Sequence, residues 1–261
     1  MLRVGCNGSD VRTLGGELKR TGGIGILIVV LVVGYGLYKG AISPEQFSRE
    51  LLGGSGSSGE APSGPSTASG APTPPSSSRA GEMLREIEVA PAGSMAGYSR
   101  EEFPHWAADG TEFGWEEPDG SCDVRGDALI RDGRGVEVDD DCSITAGEWL
   151  DPFTGTTLTD SEDVDIDHIV PLANAWRSGA SEWNASQRET YANDPGVLLS
   201  VDDAANQIKG DKGPEAWLPP NTDYRCEYGR RWVWIKHEWN LTVNEQERTT
   251  LQGLLGGCES P

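Results

Sequence analysis

A mixed α+β domain with little sheet, set behind a membrane-crossing helix and a flexible linker, is the architecture that this chain of 261 residues predicts. Three observations carry it. An uncharged apolar run lies near the start, a stretch of Gly, Ser, Pro, Ala and Thr follows it, and beyond it short apolar runs of strand length alternate with segments of helical spacing. The chain accordingly divides into a cytoplasmic segment (1–20), a transmembrane helix or signal anchor (21–42), a disordered linker (43–84) and one folded domain (85–261).

The apolar run, Gly22 to Tyr38, is preceded by Lys19 and Arg20 and followed by Lys39. As a helix it spans about 25 Å, near the lower limit for a bilayer, and snorkelling of Lys39 lets it extend through Ala41 and Ile42. Arg3, Arg12, Lys19 and Arg20 precede it while Glu45 and Glu50 follow. The positive-inside rule then places the N-terminus in the cytoplasm and the rest of the chain outside. The rival is a signal peptide whose cleavage leaves a secreted protein, but no convincing small-x-small cleavage site stands just after the run. From Gly53 to Arg79 no apolar periodicity could build a core, which reads as a stalk.

In the folded part, Val164 to Val170 reads as extended and Ala173 to Ser178 as a short helix. Asn184 can cap a second helix that stops before Asn193-Asp194-Pro195, since a residue preceding proline is pushed out of the helical region. Val197 to Val201 is a strand, and Asp202 caps a helix carrying Asn206 and Lys209 on one face. Tyr224, Tyr228, Trp232 and Ile235 recur at helical spacing, and Asn244 opens a last helix that ends at Gly256-Gly257.

Of five cysteines, Cys122, Cys142, Cys226 and Cys258 fall in the folded part and Cys6 stands apart. No two of the four have the short spacing of a zinc knuckle, which argues against a zinc-stabilised structural domain. Outside the membrane they form disulfides, for which Cys122 with Cys142 and Cys226 with Cys258 close the most modest loops of the three possible connectivities. The chain carries 42 acidic and 21 basic residues, a formal net charge of -21. That excludes a general electrostatic attraction for polyanions and hence a coating or storage role on nucleic acid. It leaves open an enzyme whose bound cation supplies positive charge where a phosphate must sit.

The most informative stretch is Asp165-Ile166-Asp167-His168-Ile169-Val170-Pro171-Leu172, followed later by Asn206-Gln207-Ile208-Lys209-Gly210-Asp211. Around it stand Cys122-Asp123-Val124-Arg125, Asp151-Pro152-Phe153-Thr154-Gly155, Ala175-Trp176-x-Ser178-Gly179-Ala180, Ala192-Asn193-Asp194-Pro195 and Trp217-Leu218-Pro219-Pro220. Over roughly Gly120 to Cys258 this order of residues resembles the HNH, or ββα-metal, nucleases, in the branch of the C-terminal domain of GmrSD-type restriction enzymes. The resemblance implies a ββα-metal domain that hydrolyses phosphodiester bonds of DNA or RNA, with Asp167 and Asn206 binding the metal.

The residue types suit that chemistry. Hydrolysis needs a base for water and a cation at the phosphate; imidazole titrates near neutrality, so His168 is the fitting base. Asp167 and Asn206 offer hard oxygen ligands to Mg²⁺ or Mn²⁺, Asp165 can orient a neighbouring group, and Lys209 can meet a phosphate oxygen. Arg225, Arg230, Arg231 and Lys236, interleaved with Tyr224, Tyr228, Trp232 and Trp234, form a basic-aromatic helix that could track a nucleic acid; the same pattern also describes a core-facing helix with a solvated arginine face. His105 and His237 lack such context and read as structural or surface residues. In one place the chain departs from the family pattern. The asparagine expected just before the Leu-Leu pair, whose amide fixes the loop that aims the base, is replaced by Val197. Either Asn193 holds the geometry instead or activity is weakened or lost, which would leave a catalytically weak or inactive HNH-fold binding module at the cell surface.

Overall fold

The computed structural model describes residues 70–116 and 122–258. The chain enters through α1 (Ser77–Glu86), capped by Ser76, which buries Ala80, Met83 and Leu84. Residues 70–84 belong by composition to the linker, yet here they pack: Ala71 is buried, and the Pro72 carbonyl accepts from Arg231 at 3.0 Å. Ala80, Met83 and Leu84 follow the i, i+3, i+4 spacing of a helix face, too short a signal to stand out among Ser and Pro. The apolar run of residues 22–38 and Cys6 lie outside the described residues, and no described helix is long and apolar enough to cross a membrane.

Next come α2 (Val124–Asp132), capped by the Asp123 carboxylate, and a three-stranded antiparallel sheet of β1 (Arg134–Val138), β2 (Ile144–Leu150) and β3 (Thr157–Leu158) in that order. The polar sequence of β1 and β2 exposes much of both strands, and their register is irregular, so little alternation marks them in the sequence. Trp149 is the exception, buried with its indole N–H donating to the Leu129 carbonyl at 2.8 Å.

The second sheet is a single antiparallel pair. In it β4 (Val164–His168) lies against β5 (Leu198–Asp202), with Asp167 opposite Leu199 and His168 opposite Leu198. Between them run α3 (Leu172–Arg177) and α4 (Ala185–Ala192), the latter closed by a reciprocal capping box of Asn184 and Gln187. Directly after β5, Asp202 caps α5 (Asp203–Lys209), which Gly210 ends at φ 53°, a conformation that suits glycine. The order is therefore strand, strand, helix, the last held against the strand pair.

Two apolar clusters clamp this unit. Val164, Ile166 and Leu198 join Trp115, Leu129 and Trp149 in the smaller one. Leu199 and Val201 join the larger one, built on Phe153, Tyr191, Tyr228 and Trp232. Strand alternation leaves Asp165 and Asp167 opposite the smaller cluster, where α5 reaches both. Finally α6 (Arg225–Glu238) and α7 (Glu245–Gly257), the latter with an Asn244–Glu247 capping box, pack beside α1. Both expected disulfides are formed, Cys122–Cys142 and Cys226–Cys258, with Cα–Cα distances of 5.4 and 5.6 Å.

Candidate active site

A cleft of about 210 Å³ opens where β4 ends, lined by Tyr98, Arg100, Asp167, His168, Asn206, Gln207 and Asp211 among others. Three of the residues singled out from the sequence, Asp167, His168 and Asn206, meet in it.

His168 is buried, and its Nε2 lies 3.0 Å from the Ala192 carbonyl oxygen. A carbonyl can only accept, so Nε2 carries the proton and the neutral ring keeps its lone pair on Nδ1. Nδ1 has no hydrogen-bond partner among the described residues. Burial, more than the nearby Arg100, His105 and Lys209 charges, opposes protonation and holds the imidazole pKa down at about 3, not near neutrality as the sequence suggested; only the Ala192 bond acts the other way. The ring sits against Trp106, with centroids 5.9 Å apart, and His105 at 6.3 Å.

Asp167 is buried as well. Its Oδ1 accepts from Lys209 Nζ at 2.8 Å, whereas its Oδ2 has no partner in the described structure. Burial raises its pKa to about 6 against the pull of Lys209. Lys209, expected at a phosphate, is instead turned inward. It is fully buried, with Nζ donating to Asp167 and to the His168 carbonyl at 3.0 Å, and burial lowers its pKa. It neutralises and aims the carboxylate and has no access to solvent. Asn206, one turn earlier on α5, donates from Nδ2 to Asp165 Oδ2 at 3.3 Å, which leaves its carbonyl oxygen for another partner. No group of three or more His, Cys, Asp or Glu able to hold a metal occurs among the described residues. Asp167 and Asn206 offer hard donors in the cleft, with Asp165 behind, and Gln207 and Asp211 line it too.

Val197, in the asparagine's place, is buried in the larger cluster and contributes its carbonyl to Ile169 N at 3.0 Å. The loop-holding bonds come from Asn193, fully buried, whose Oδ1 accepts from Ala107 N at 3.0 Å and whose Nδ2 donates to the carbonyls of Pro104 at 3.0 Å and Glu189 at 2.9 Å. These bonds bracket His105 and Trp106, the latter at φ 61°, and fix them beside His168. Arg188 adds bonds to the Glu102 carbonyl and carboxylate, both 2.9 Å.

The segment of residues 98–107, which carries Arg100 to the cleft and His105 beside His168, has no sequence signal that points to the site. Its isolated basic residue has no motif around it, and its role comes from contacts more than 80 residues away in sequence, such as the bond from Asn193 to Pro104.

The basic-aromatic helix is α6, which buries Arg231 and Lys236, leaves Arg225 and Arg230 half-buried, and brings none of the four to the cleft. Lys236 is fully buried, donating to both Glu247 oxygens at 3.0 Å and to Ser178 Oγ at 2.9 Å. Arg231 is buried on Glu227 at 2.9 Å, and Arg225 and Arg230 donate to the carbonyls of Pro219 and Pro75. The helix's aromatic spacing marks a core face, and Arg231 and Lys236 satisfy interior groups. A larger cleft, about 320 Å³, is lined by Asn174, Ser178 and Glu247 of that network, whose bonds to one another and to Lys236 occupy their polar groups.

Comparison with known proteins supplies a family for the chain. The family model for the C-terminal domain of GmrSD restriction endonucleases matches residues 130–253. A protein of Arthroderma benhamiae described as an uncharacterized secreted protein is 44% identical over 192 residues, which span 72% of this chain and 90% of that protein. No solved structure matches the chain. The strand pair, the helix behind it and the matched motifs thus have one common explanation: the chain belongs to the family of GmrSD restriction endonuclease C-terminal domains.

Proposed function

We propose that this protein is an extracytoplasmic nuclease of the HNH, ββα-metal type that hydrolyses phosphodiester bonds of DNA, and of RNA where a strand can enter the cleft. One observation carries the reading. His168 Nδ1 and Asp167 Oδ2, both on residues lining one cleft, lack any partner among the described residues, while every neighbouring polar atom that holds them in place is used. A buried carboxylate oxygen without a partner costs about 1–3 kcal/mol or more, a cost that a ligand removes.

Asp167 and Asn206 would hold a hard divalent cation, Mg²⁺ or Mn²⁺, since two protein oxygens with other positions left to water and phosphate suit such an ion. Bound there, the cation would neutralise charge on the scissile phosphate and the leaving oxygen. Lys209 holds Asp167 ionised and aimed, and Asp165 turns the Asn206 amide so that its oxygen faces outward. The Ala192 carbonyl keeps the His168 proton on Nε2, so Nδ1 can take a proton from the water that attacks phosphorus. The bonds of Asn193 support the base from behind, so Val197 does not favour a silent module.

Two disulfides and a secreted relative support a location outside the cytoplasm. Residues 22–38 would supply the anchor, with the N-terminus inside. The test is cleavage of supercoiled plasmid DNA by the purified chain with Mg²⁺ or Mn²⁺. Nicking that stops in EDTA and returns with added metal is the expected result, and nicking that persists under exhaustive chelation would sink the metal-dependent reading. For location, intact cells should degrade added DNA; activity that appears only after lysis would reverse the topology.

A further inference from the structure

The site described so far has no cation free to meet a phosphate. Lys209 is consumed by Asp167, Arg231 by Glu227 and Lys236 by Glu247, and none of the basic residues of α6 lines the cleft. Among the residues lining the cleft, the one Arg or Lys is Arg100. It is exposed, and it stands on the segment of residues 98–107, upstream of the span 130–253 that the family model matches.

We infer that Arg100 is the phosphate-binding residue of this site, delivered by a strap that lies outside the matched family domain. The inference rests on the nuclease reading for the identity of the ligand, a nucleic-acid phosphodiester. Arg100 Nε donates to His105 Nε2 at 3.3 Å, and His105 Nδ1 in turn lies 2.8 Å from the Phe103 carbonyl oxygen. The carbonyl fixes the proton on Nδ1 and so makes Nε2 an acceptor for Arg100. The guanidinium is thereby held by one edge. Its two terminal nitrogens make no hydrogen bond or ion pair among the described residues, and a planar fork of that kind matches two phosphate oxygens.

The strap is built to hold this position. Asn193 bonds both sides of His105-Trp106, Arg188 grips Glu102, and Trp115 Nε1 donates to the Asn193 carbonyl at 2.7 Å. Of the two acids lining the cleft, Asp167 is paired with Lys209 and Asp211 with Arg177 at 3.1 Å, which reduces their competition for Arg100. Phosphate affinity thus depends on a residue that a fragment limited to the matched span would lack.

The test compares the full chain with Arg100→Ala, Arg100→Gln and Arg100→Lys. Thymidine 3′,5′-bisphosphate is titrated by calorimetry in EDTA, and plasmid cleavage is followed in Mn²⁺ with Mn²⁺ affinity measured separately. The expected result is a loss of bisphosphate affinity of about tenfold or more in the Ala and Gln variants, partial retention in the Lys variant, and a fall in kcat of about 10², with the unfolding midpoint and Mn²⁺ affinity unchanged. Binding that depends on Arg100 in a chain that cuts nothing would uphold Arg100 and end the hydrolytic reading. A wild-type chain that does not bind the bisphosphate, variants that bind it equally well, or losses that track Mn²⁺ affinity would each overturn the inference.

Discussion

Lys209 and Asp167 show how one pair can be at once costly and necessary. Two charges taken out of water are expensive, and their attraction offsets that cost only while both are present. Lys209→Met keeps the volume and removes the charge, leaving Asp167 ionised without a partner. We expect a loss of about 3–5 kcal/mol at pH 8, measured by urea unfolding. The loss should shrink at pH 5, because Asp167, already raised to about 6 in the wild type, rises further in the variant and is neutral there. A variant as stable as wild type at pH 8 would mean that the pair is not buried as described. His168 carries a pH signature of opposite sign. Its pKa is about 3 when folded and near 6.5 when unfolded, so below 6.5 the unfolded chain takes up a proton that the folded one refuses. Its contribution is complete above pH 6.5 and is lost as pH falls toward 3, by at most about 1.4 kcal/mol per pH unit. In EDTA the stability advantage of wild type over His168→Ala should therefore narrow by up to about 2 kcal/mol between pH 6.5 and 5. Asp167 works the other way between pH 6 and 3.8, and comparing the two proteins cancels much of it. A gap that stays constant would place the imidazole in solvent.

At the scale of elements, caps and periodicity made much of the fold readable. Asn184, Asp202 and Asn244 each cap the helix expected of them, because a side-chain oxygen before an apolar run satisfies amide groups that nothing else can reach. Asn244→Ala should cost about 1 kcal/mol and lower the unfolding midpoint, while an unchanged midpoint would show that Glu247 and the Lys236 network hold α7 without the cap. The sheet of β1, β2 and β3 was not legible, since strands exposed on both faces have no alternation to read. Nor was α1, whose short apolar face sits in a Ser-rich and Pro-rich stretch. For α6 the pattern fitted a core helix and a nucleic-acid surface equally, and only burial separates them. In the site, Asp167, His168 and Asn206 were legible through the resemblance of the Asp165–Leu172 and Asn206–Asp211 stretches to HNH nucleases, without which His168 and Asn206 read as structural and surface residues. Arg100, His105 and the duty of Asn193 were not, because they depend on contacts far apart in sequence.

For the whole molecule, a charge of -21 and two disulfides set the conditions under which so small a site works. The bridges tie Cys122 to the β1–β2 turn and α6 to the end of α7. Reduction should lower stability by about 2–5 kcal/mol per bridge, read from unfolding with and without reductant; four alkylatable thiols in native protein would contradict both the bridges and a location outside the cytoplasm. The proposed function turns on the lone pair of His168 Nδ1 acting as the base of a metal-dependent hydrolysis. It is tested most directly by the single-turnover rate of plasmid nicking in Mn²⁺ for wild type and for His168→Ala, with the unfolding midpoint of each taken in the same buffer. A fall of about 10² to 10⁴ in rate at a nearly unchanged midpoint is expected; equal rates in the two proteins would contradict a catalytic His168.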